Sequence, residues 1–372
     1  MRSANRWAIF CRFIAPAAGL AAFAFLPLQS ATGETHPPNL GLGHESRIDG
    51  AHGDFLQPGP FIDPSITVDH PLYARISVPW SVVERVPGAY WWGGLDGLVE
   101  AYRAANYVLT LAPYGANPAF AADGALPGEV RPEVLKGWLD FLRQMAFRYA
   151  GRVSYYEIWE EPNRVPGWRG AGVSEYGFLL KNSSVTIRSA DAAASIVQGG
   201  IAVSQETAAD DFAWQAALYD EEISTYVDVL AVRPASTNRL DQIVSAAYDM
   251  LLREDPSAQL WMNSVPVAGA SARERAADIM QSILVAHGEG AAVVTLGLRR
   301  ARGGEPELRG VILDLHKLLT PDFGLVHGGI PRFEAGPPDD LEPVVGITAY
   351  QFFDAESFQG RIVFVAPPGV PE

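Results

Sequence analysis

Apolar residues recur along the chain with two spacings, one typical of strands and the other typical of helices. Short runs rich in β-branched and aromatic residues predict eight strands, over residues 39–44, 73–78, 107–111, 153–159, 195–201, 227–233, 259–265 and 292–298. Apolar positions three or four residues apart predict helices between them, over 95–106, 132–149, 175–191, 210–220, 239–254 and 272–287. A last helix is predicted over 343–356, before a final strand over 361–365.

Strands that alternate with helices predict a parallel sheet, because each helix returns the chain to the start of the next strand. Eight such units favour a closed (β/α)8 TIM barrel over an open doubly wound sheet. No glycine-rich phosphate loop follows the first strand. The strand over 361–365 has no place in the barrel, so we expect it to pack outside, beside the N-terminal segment. The predicted fold class is α/β, a TIM barrel with a short extra C-terminal strand, in a single domain over 34–372.

The first residues have a different composition from the rest. Arginines occupy three of the first twelve positions, an apolar run follows over 13–28, and small residues lead to Ala31-Thr32-Gly33. This pattern predicts a secretory signal peptide over 1–33, and therefore a secreted or periplasmic bacterial protein without an integral membrane domain after cleavage. An uncleaved anchor is the alternative, since the apolar run is just short of the ~20 residues that span a bilayer.

Composition and charge narrow the choice of partners. The 372 residues are 48% hydrophobic and 19% charged, which suits a soluble protein with a large core. The formal charge of −15 would become −18 without the leader, a balance that disfavours nucleic acid. Cys11, the single cysteine, precedes the apolar run, so the mature chain would rely on its core rather than on disulfides.

The predicted strand over 153–159 runs directly into Glu160, Glu161, Pro162 and Asn163. Proline cannot extend a sheet ladder, so the two carboxylates are expected where the strand becomes a loop. In a TIM barrel the catalytic residues lie at the carboxyl ends of the strands. Glu161 and Glu160 are therefore the candidate catalytic residues.

Two stretches resemble a known group of enzymes. Trp159-Glu160-Glu161-Pro162-Asn163 resembles the Trp-Asn-Glu-Pro-Asn signature of clan A glycoside hydrolases, and the region over 75–96 is similar to the second-strand region of family 39 and its relatives. The resemblance implies a TIM barrel that acts on a polysaccharide. It makes Glu161 the acid/base and Arg75 the arginine that supports the nucleophile. The histidines have no metal-ligand spacing, and we expect no cofactor or metal.

The chain departs from this pattern at several strand ends. The stretch over 259–266 is similar to the run that carries the family's second catalytic glutamate, and aligning its tryptophan puts Ser264 at that position. Glu160 stands where an asparagine normally hydrogen-bonds the sugar 2-hydroxyl, and Arg233 stands where a histidine is usual. A serine hydroxyl is a poor nucleophile without a base and cannot stabilise an oxocarbenium-like transition state by charge.

These departures leave three hypotheses open. The first is a pseudoenzyme, which recognises a poly- or oligosaccharide but in which retaining hydrolysis is lost or weak. The second is an active O-glycosyl hydrolase that uses a non-standard second carboxylate, from Glu160 or from a loop acid such as Glu206. The third is a non-catalytic scaffold of an exopolysaccharide or envelope assembly. Arg75 and Arg233 could alternatively pair with Glu160 and Glu161 as structural ions.

The remaining candidate residues are expected to contact the glycan. Four aromatic residues at or just beyond strand ends could stack on sugar rings, although barrel cores use aromatics too: Trp80, Tyr114, Trp168 and Trp261. Polar side chains complete the predicted substrate-binding set: Arg75, Asn163, Arg233 and Ser264.

Overall fold

The structure is a computed structural model. It describes residues 41–47, 72–128, 131–164, 168 and 172–297, and three later strands at 323–329, 348–354 and 359–365. For the first and the last three strands it describes the backbone alone. The predicted leader over 1–33 lies outside the described residues, so the signal peptide stays a prediction.

The described elements alternate between strands and helices through most of the chain. In order they are β1 (Gly41–Arg47), β2 (Leu72–Pro79), α1 (Trp80–Val83), α2 (Gly93–Ala104), β3 (Tyr107–Tyr114), α3 (Pro132–Tyr149), β4 (Tyr155–Ile158), α4 (Val173–Ala190), β5 (Ser195–Gln198), β6 (Ile201–Val203), α5 (Ala208–Tyr219), β7 (Val229–Pro234), α6 (Leu240–Glu254), β8 (Gln259–Pro266), α7 (Ala272–Gly288), β9 (Val293–Gly297), β10 (Phe323–Gly329), β11 (Thr348–Asp354) and β12 (Gln359–Val365).

The first nine strands form one parallel sheet that closes on itself. β1 pairs with β2 on one side and with β9 on the other. β5 and β6 together occupy one barrel position, and a pairing between Val197 of β5 and Val229 of β7 completes the ring. The barrel therefore has eight strand positions, and the prediction of a (β/α)8 TIM barrel is confirmed.

The helices cover the barrel with their apolar faces, as α3 illustrates. Trp138, Phe141, Leu142 and Met145 recur at helical spacing and are all fully buried against the sheet. Burying a side chain of this size contributes about 1.5–3 kcal/mol relative to leaving it exposed. Pro132 occupies the first turn, where its missing N–H costs no helical hydrogen bond. The six helices predicted between 95 and 287 are confirmed within about two residues at each end.

The prediction of a helix over 343–356 is wrong. Residues 348–354 form β11, the central strand of a three-stranded antiparallel sheet in which β10 and β12 are its neighbours. The segment carries aromatic and threonine residues that suit a strand, and pairing on both sides satisfies its backbone N–H and C=O groups.

The extra strand predicted over 361–365 is present as part of β12, and it lies outside the barrel as expected. β12 pairs with β11. The segment before β1 lies outside the described residues, so the expected place of this strand beside the N-terminal segment stays a prediction. Within the described ranges, no helix is both long enough and apolar enough to cross a bilayer.

Candidate functional site

Side chains that point into the barrel form two layers of different character. Alternate residues of a strand face the same side, so Tyr73 and Arg75 of β2 both point inward, as do Tyr155 and Glu157 of β4. The lower layer is apolar, with Trp261 packed against the rings of Tyr73 and Tyr155. The upper layer, toward the carboxyl ends of the strands, is charged. The site is built on this upper layer.

Arg75 is the centre of the charged layer. It is almost fully buried, and its guanidinium forms a two-point contact with Glu157, with Nε 2.6 Å from Oε2 and Nη2 3.0 Å from Oε1. Its Nη1 donates to the Ser77 hydroxyl at 2.8 Å and to Glu160 Oε1 at 3.0 Å. The Ser77 hydroxyl also donates to Glu160 Oε1. One guanidinium therefore holds two carboxylates in place.

Glu157 is the most deeply buried acid of the site, and the sequence predictions missed it. It is fully buried, and besides Arg75 it accepts the backbone N–H of Gly200 at 3.1 Å and Nδ2 of Asn263 at 2.8 Å. A glutamate inside an apolar strand was the available signal, because a carboxylate buried there requires a cationic partner. The partner comes from β2, some 80 residues earlier.

Glu160 and Glu161 are neighbours in sequence but reach toward different sides of the barrel. Glu160 contacts Arg75 and Ser77 on β2, and 13% of its side chain is exposed. Glu161 reaches toward β7, where its Oε1 lies 3.3 Å from Nε of Arg233, and 44% of its side chain is exposed. These are the two ion pairs expected if Arg75 and Arg233 serve as structural partners of Glu160 and Glu161. The two carboxylates therefore pair with different arginines.

Strained backbone is concentrated at this end of the barrel. Trp159 and Glu161 adopt left-handed φ angles of 77° and 48° in the loop after β4, and Ser264 has φ 53° on β8. A non-glycine residue in this region costs about 1–2 kcal/mol, so surrounding contacts must hold it. In the β4 loop, Trp159 donates its backbone N–H to Pro113 O and Glu161 donates to Gly200 O. Such strain is typical of functional sites.

β8 carries a bulge at the position where the sequence comparison expects the second carboxylate. The register with β9 shifts between Met262 and Val265, so Asn263 and Ser264 sit at the irregularity. Asn263 points inward to Glu157, whereas Ser264 is half-buried and donates its backbone N–H to Thr295 Oγ1. Gly297 of β9 lies so close that an added Cβ would be 2.9 Å from the Ser264 carbonyl oxygen, which favours glycine there.

The interpretation of three tryptophans as sugar-stacking residues is corrected, since the exposed fraction of each side chain is at most 2%. Trp80 packs between Phe120, Trp138 and Phe141, and its Nε1 donates to Glu84. Trp168 packs edge-on against Trp159 and Tyr176, and Trp261 lies in the lower barrel layer. A ring enclosed on both faces cannot stack on a sugar. Tyr114, half-buried at the end of β3, keeps its predicted place at the rim.

The role predicted for Asn163 is corrected as well. Its amide oxygen accepts the Ala202 N–H, while Nδ2 donates to the Ala202 carbonyl and to Asp211. Both ends of the amide are therefore used inside the protein, and Asn163 fastens the β4 loop to β6.

Two further acids near the strand ends differ in environment. Glu84 is buried after α1 and accepts hydrogen bonds from Trp80 Nε1 and Gly88 N–H; its burial raises the pKa of its carboxyl. Glu206, in the exposed loop after β6, has a lowered pKa because its own backbone N–H and the Ser204 hydroxyl donate to it. Glu84 thus supports the turn, whereas Glu206 is an ionised surface acid. Over the part of the chain that the structure describes, no group of three potential ligands could hold a metal ion.

Comparisons with known proteins agree on the fold. No protein-family model matches the sequence, and no curated protein does either. Solved structures do match: a family 39 glycoside hydrolase from Bacteroides cellulosilyticus WH2 has a TM-score of 0.61 at 13% identity, covering 86% of this chain and 69% of its own.

Two other solved structures are similar over comparable lengths. A family 30 endoxylanase from Clostridium papyrosolvens C71 has a TM-score of 0.59 at 13% identity, covering 87% of this chain and 80% of its own. An endo-glycoceramidase II from Rhodococcus has a TM-score of 0.53 at 13% identity, with 86% of each chain covered. The resemblance to clan A glycoside hydrolases noted in the sequence is therefore confirmed at the level of the fold: the chain has the (β/α)8 barrel of these enzymes.

Proposed function

We propose that this is an exported protein that recognises a poly- or oligosaccharide at the carboxyl end of its barrel and has lost, or retains only weakly, the retaining hydrolysis of glycosidic bonds. One observation carries the proposal. All three carboxylates of the charged cluster, Glu157, Glu160 and Glu161, come from β4 and the loop that follows it, whereas β8 offers Asn263 and Ser264.

Retaining hydrolysis needs two carboxyl groups about 5–5.5 Å apart, one to protonate the leaving group and one to attack the anomeric carbon. Glu157 is fully buried and engaged by Arg75, so it offers a sugar no accessible oxygen. Glu160 and Glu161 reach toward β2 and β7, which lie on either side of β4 in the barrel. Each of the two carboxylates is engaged by its own arginine, which argues against their action as an acid and a nucleophile on the same bond.

Recognition is supported by the exposed part of the same cluster. Glu161 and the half-buried Tyr114 and Ser264 lie at the ends of three different strands and could offer hydrogen bonds to sugar hydroxyls. The left-handed residues at this end support a functional rather than a purely structural role. The similar solved structures are described as glycoside hydrolases, which supports a glycan as the ligand class.

An active hydrolase is the second candidate, supported by the position of Glu206 on the exposed loop between β6 and α5. An ionised acid on the loop after β6 could activate a water molecule while Glu161 protonates the leaving oxygen, as in an inverting mechanism. A scaffold role without glycan binding would leave both acids without a chemical task.

The test is a glycan panel that measures binding and reaction products together. The Glu161→Gln variant is compared with Glu100→Gln, which has the same change in charge on α2, at a surface pair with Arg152. We expect a glycan that binds without forming products, with affinity at least tenfold lower in Glu161→Gln, because a desolvated hydrogen bond to a charged group is worth about 1.5–3 kcal/mol. Glu100→Gln should bind as the parent does.

Other outcomes decide between the candidates. Product formation that disappears in both Glu161→Gln and Glu206→Gln would favour the hydrolase. If no glycan in the panel binds, the proposal fails and the scaffold remains. If the parent is inactive and Ser264→Glu gains turnover, the rest of the hydrolytic machinery is intact.

A further inference from the structure

A second polar network lies beside the charged cluster and is centred on Asp211 in the first turn of α5. Asp211 is almost fully buried, with 3% exposed, yet its carboxylate accepts four hydrogen bonds. Oδ1 accepts from Asn163 Nδ2 at 3.0 Å and from Arg164 Nη1 at 2.6 Å. Oδ2 accepts from Arg164 Nη2 at 2.7 Å and from the Thr207 hydroxyl at 2.7 Å. A buried carboxylate with this many donors is held firmly in one orientation.

Two of these partners of Asp211, Asn163 and Arg164, also bind the β6 backbone. Asn163 makes two hydrogen bonds with Ala202, donating to its carbonyl oxygen at 2.8 Å and accepting its N–H at 2.9 Å. Arg164 Nη2 donates to the same carbonyl at 3.0 Å. Residues 163–164 are thus attached to both β6 and α5, and Asp211 fixes the orientation of both side chains.

Glu161 is two residues before this attachment. Its left-handed φ of 48° is unfavourable for glutamate, and its backbone N–H reaches Gly200 O at a long 3.2 Å. The carbonyl of Glu161 accepts the N–H of Arg164, so the attached residues continue the turn that begins at Glu161. Without the attachment, the loop could relax to an ordinary φ and carry the Glu161 carboxylate away from Arg233.

We propose that Asp211 is a positioning residue for Glu161: through Asn163 and Arg164 it holds the strained loop that aims the Glu161 carboxylate at the barrel mouth. Asp211 contacts Asn163, Arg164 and Thr207 and acts on Glu161 only through the first two. The inference rests on the proposed function only where it concerns glycan binding; the positioning itself is a property of the unliganded protein.

The test compares Asp211→Asn with Asp210→Asn, the matched change at the exposed preceding residue of the same helical turn. Asparagine has the size of aspartate, but its NH2 group must replace an oxygen that accepts two of the four hydrogen bonds, so it would face two donors. Amide hydrogen exchange is measured for the Glu161 N–H and for the central amides of β3 in the unliganded full chain. We expect exchange at Glu161 to be about tenfold faster in Asp211→Asn, with β3 unchanged, because local opening is controlled separately from global unfolding. Asp210→Asn should match the parent at both places.

Binding is the second measurement, with the glycan that the parent protein binds. Affinity should fall about tenfold in Asp211→Asn and remain unchanged in Asp210→Asn, because a displaced carboxylate loses a charge-assisted hydrogen bond. Unchanged exchange at Glu161 overturns the proposal. Equal acceleration at Glu161 and in β3 also overturns it, because Asp211 would then support only overall stability. If the parent binds no glycan, the proposed function fails, while the exchange measurement still decides the positioning role.

Discussion

The ends of β4 and β8 lie on different sides of the same barrel mouth and differ in how they carry charge. The β4 end presents Glu157, Glu160 and Glu161, paired with arginines from β2 and β7. The β8 end presents an amide and a hydroxyl at a bulge. Both ends contain left-handed residues, so both are strained, but the carboxylates have collected on one of them.

This difference shows which strand neutralises the buried Arg75 guanidinium. Arg75 is buried in the upper layer and needs a carboxylate, since an uncompensated buried cation is strongly destabilising. Glu157 supplies that carboxylate from β4, and β8 contributes the Asn263 amide, which donates to Oε2 of Glu157. The electrostatic balance of the barrel interior is therefore independent of any acid on β8, and the fold can persist whether or not hydrolysis does.

The largest effect is expected at Glu157. Every partner of its carboxylate is a donor, from Arg75, Gly200 and Asn263, so an amide in its place would oppose at least one of them. We expect Glu157→Gln to lower the free energy of unfolding by about 4 kcal/mol, as when one partner of a buried ion pair is removed. Urea denaturation measures the change.

The matched control is Glu100→Gln, which breaks a surface ion pair with Arg152. A loss below about 1 kcal/mol is expected there. A comparably small loss in Glu157→Gln would mean that Glu160 alone neutralises Arg75, and the contrast between the strand ends would lose its electrostatic basis.

A second buried group, outside the charged cluster, is expected to make the free energy of unfolding depend on pH. His287 of α7, the helix that packs against β9, is fully buried, its Nδ1 lies 2.7 Å from Ala291 O, and burial lowers its pKa to about 4. Because the folded pKa lies below the unfolded value of about 6.5, the unfolded state binds more protons between these values. Stability is therefore full above pH 6.5 and falls by about 3 kcal/mol as pH drops to 4.

The measurement is the free energy of unfolding of the parent and of His287→Leu at several pH values between 4 and 8. The variant should lose this part of the pH dependence, whatever its stability at pH 8. If both proteins have the same slope between pH 6.5 and pH 4, acid sensitivity comes from other groups and His287 does not contribute.

Much of the barrel could be predicted from sequence because the signals are local. Helical spacing in stretches such as 132–149 and short apolar runs such as 259–265 indicate elements without knowledge of their partners. The helix prediction over 343–356 was wrong because its apolar residues fit the spacing of a helix and of a strand. Pairing with β10 and β12 determines that residues 348–354 form a strand.

The site was less predictable, because its contacts join distant strands. Glu161 was predicted from its place at a strand end and from the family resemblance, and Arg75 and Arg233 from the resemblance alone. Nothing local showed that Glu157 would bind the Arg75 guanidinium, or that Asn163 would bind Ala202. The prediction that the buried tryptophans stack on sugar rings was wrong for the same reason. A ring near a strand end faces the cleft or the helices depending on the loop backbone, and Trp159 with its left-handed φ shows how one such residue is turned into the core.

The smallest effect is expected when a carboxylate is placed on β8 itself. Asn263 Nδ2 lies 2.8 Å from Glu157 Oε2, so Asn263→Asp would put two carboxyl groups in contact. Their repulsion would raise the pKa of one of them, to an extent that the neighbouring Arg75 guanidinium limits. The folded state would then hold a proton that the unfolded state has released, so the variant should become less stable as pH rises from 5 to 8. At pH 8 we expect a loss of about 2 kcal/mol, the free energy that corresponds to a moderately raised carboxyl pKa. Urea unfolding of the parent and the variant at both pH values measures it. A variant as stable as the parent at pH 8 would mean that β8 accepts a charge beside Glu157, and the two strand ends would then differ in sequence without differing in what they can carry.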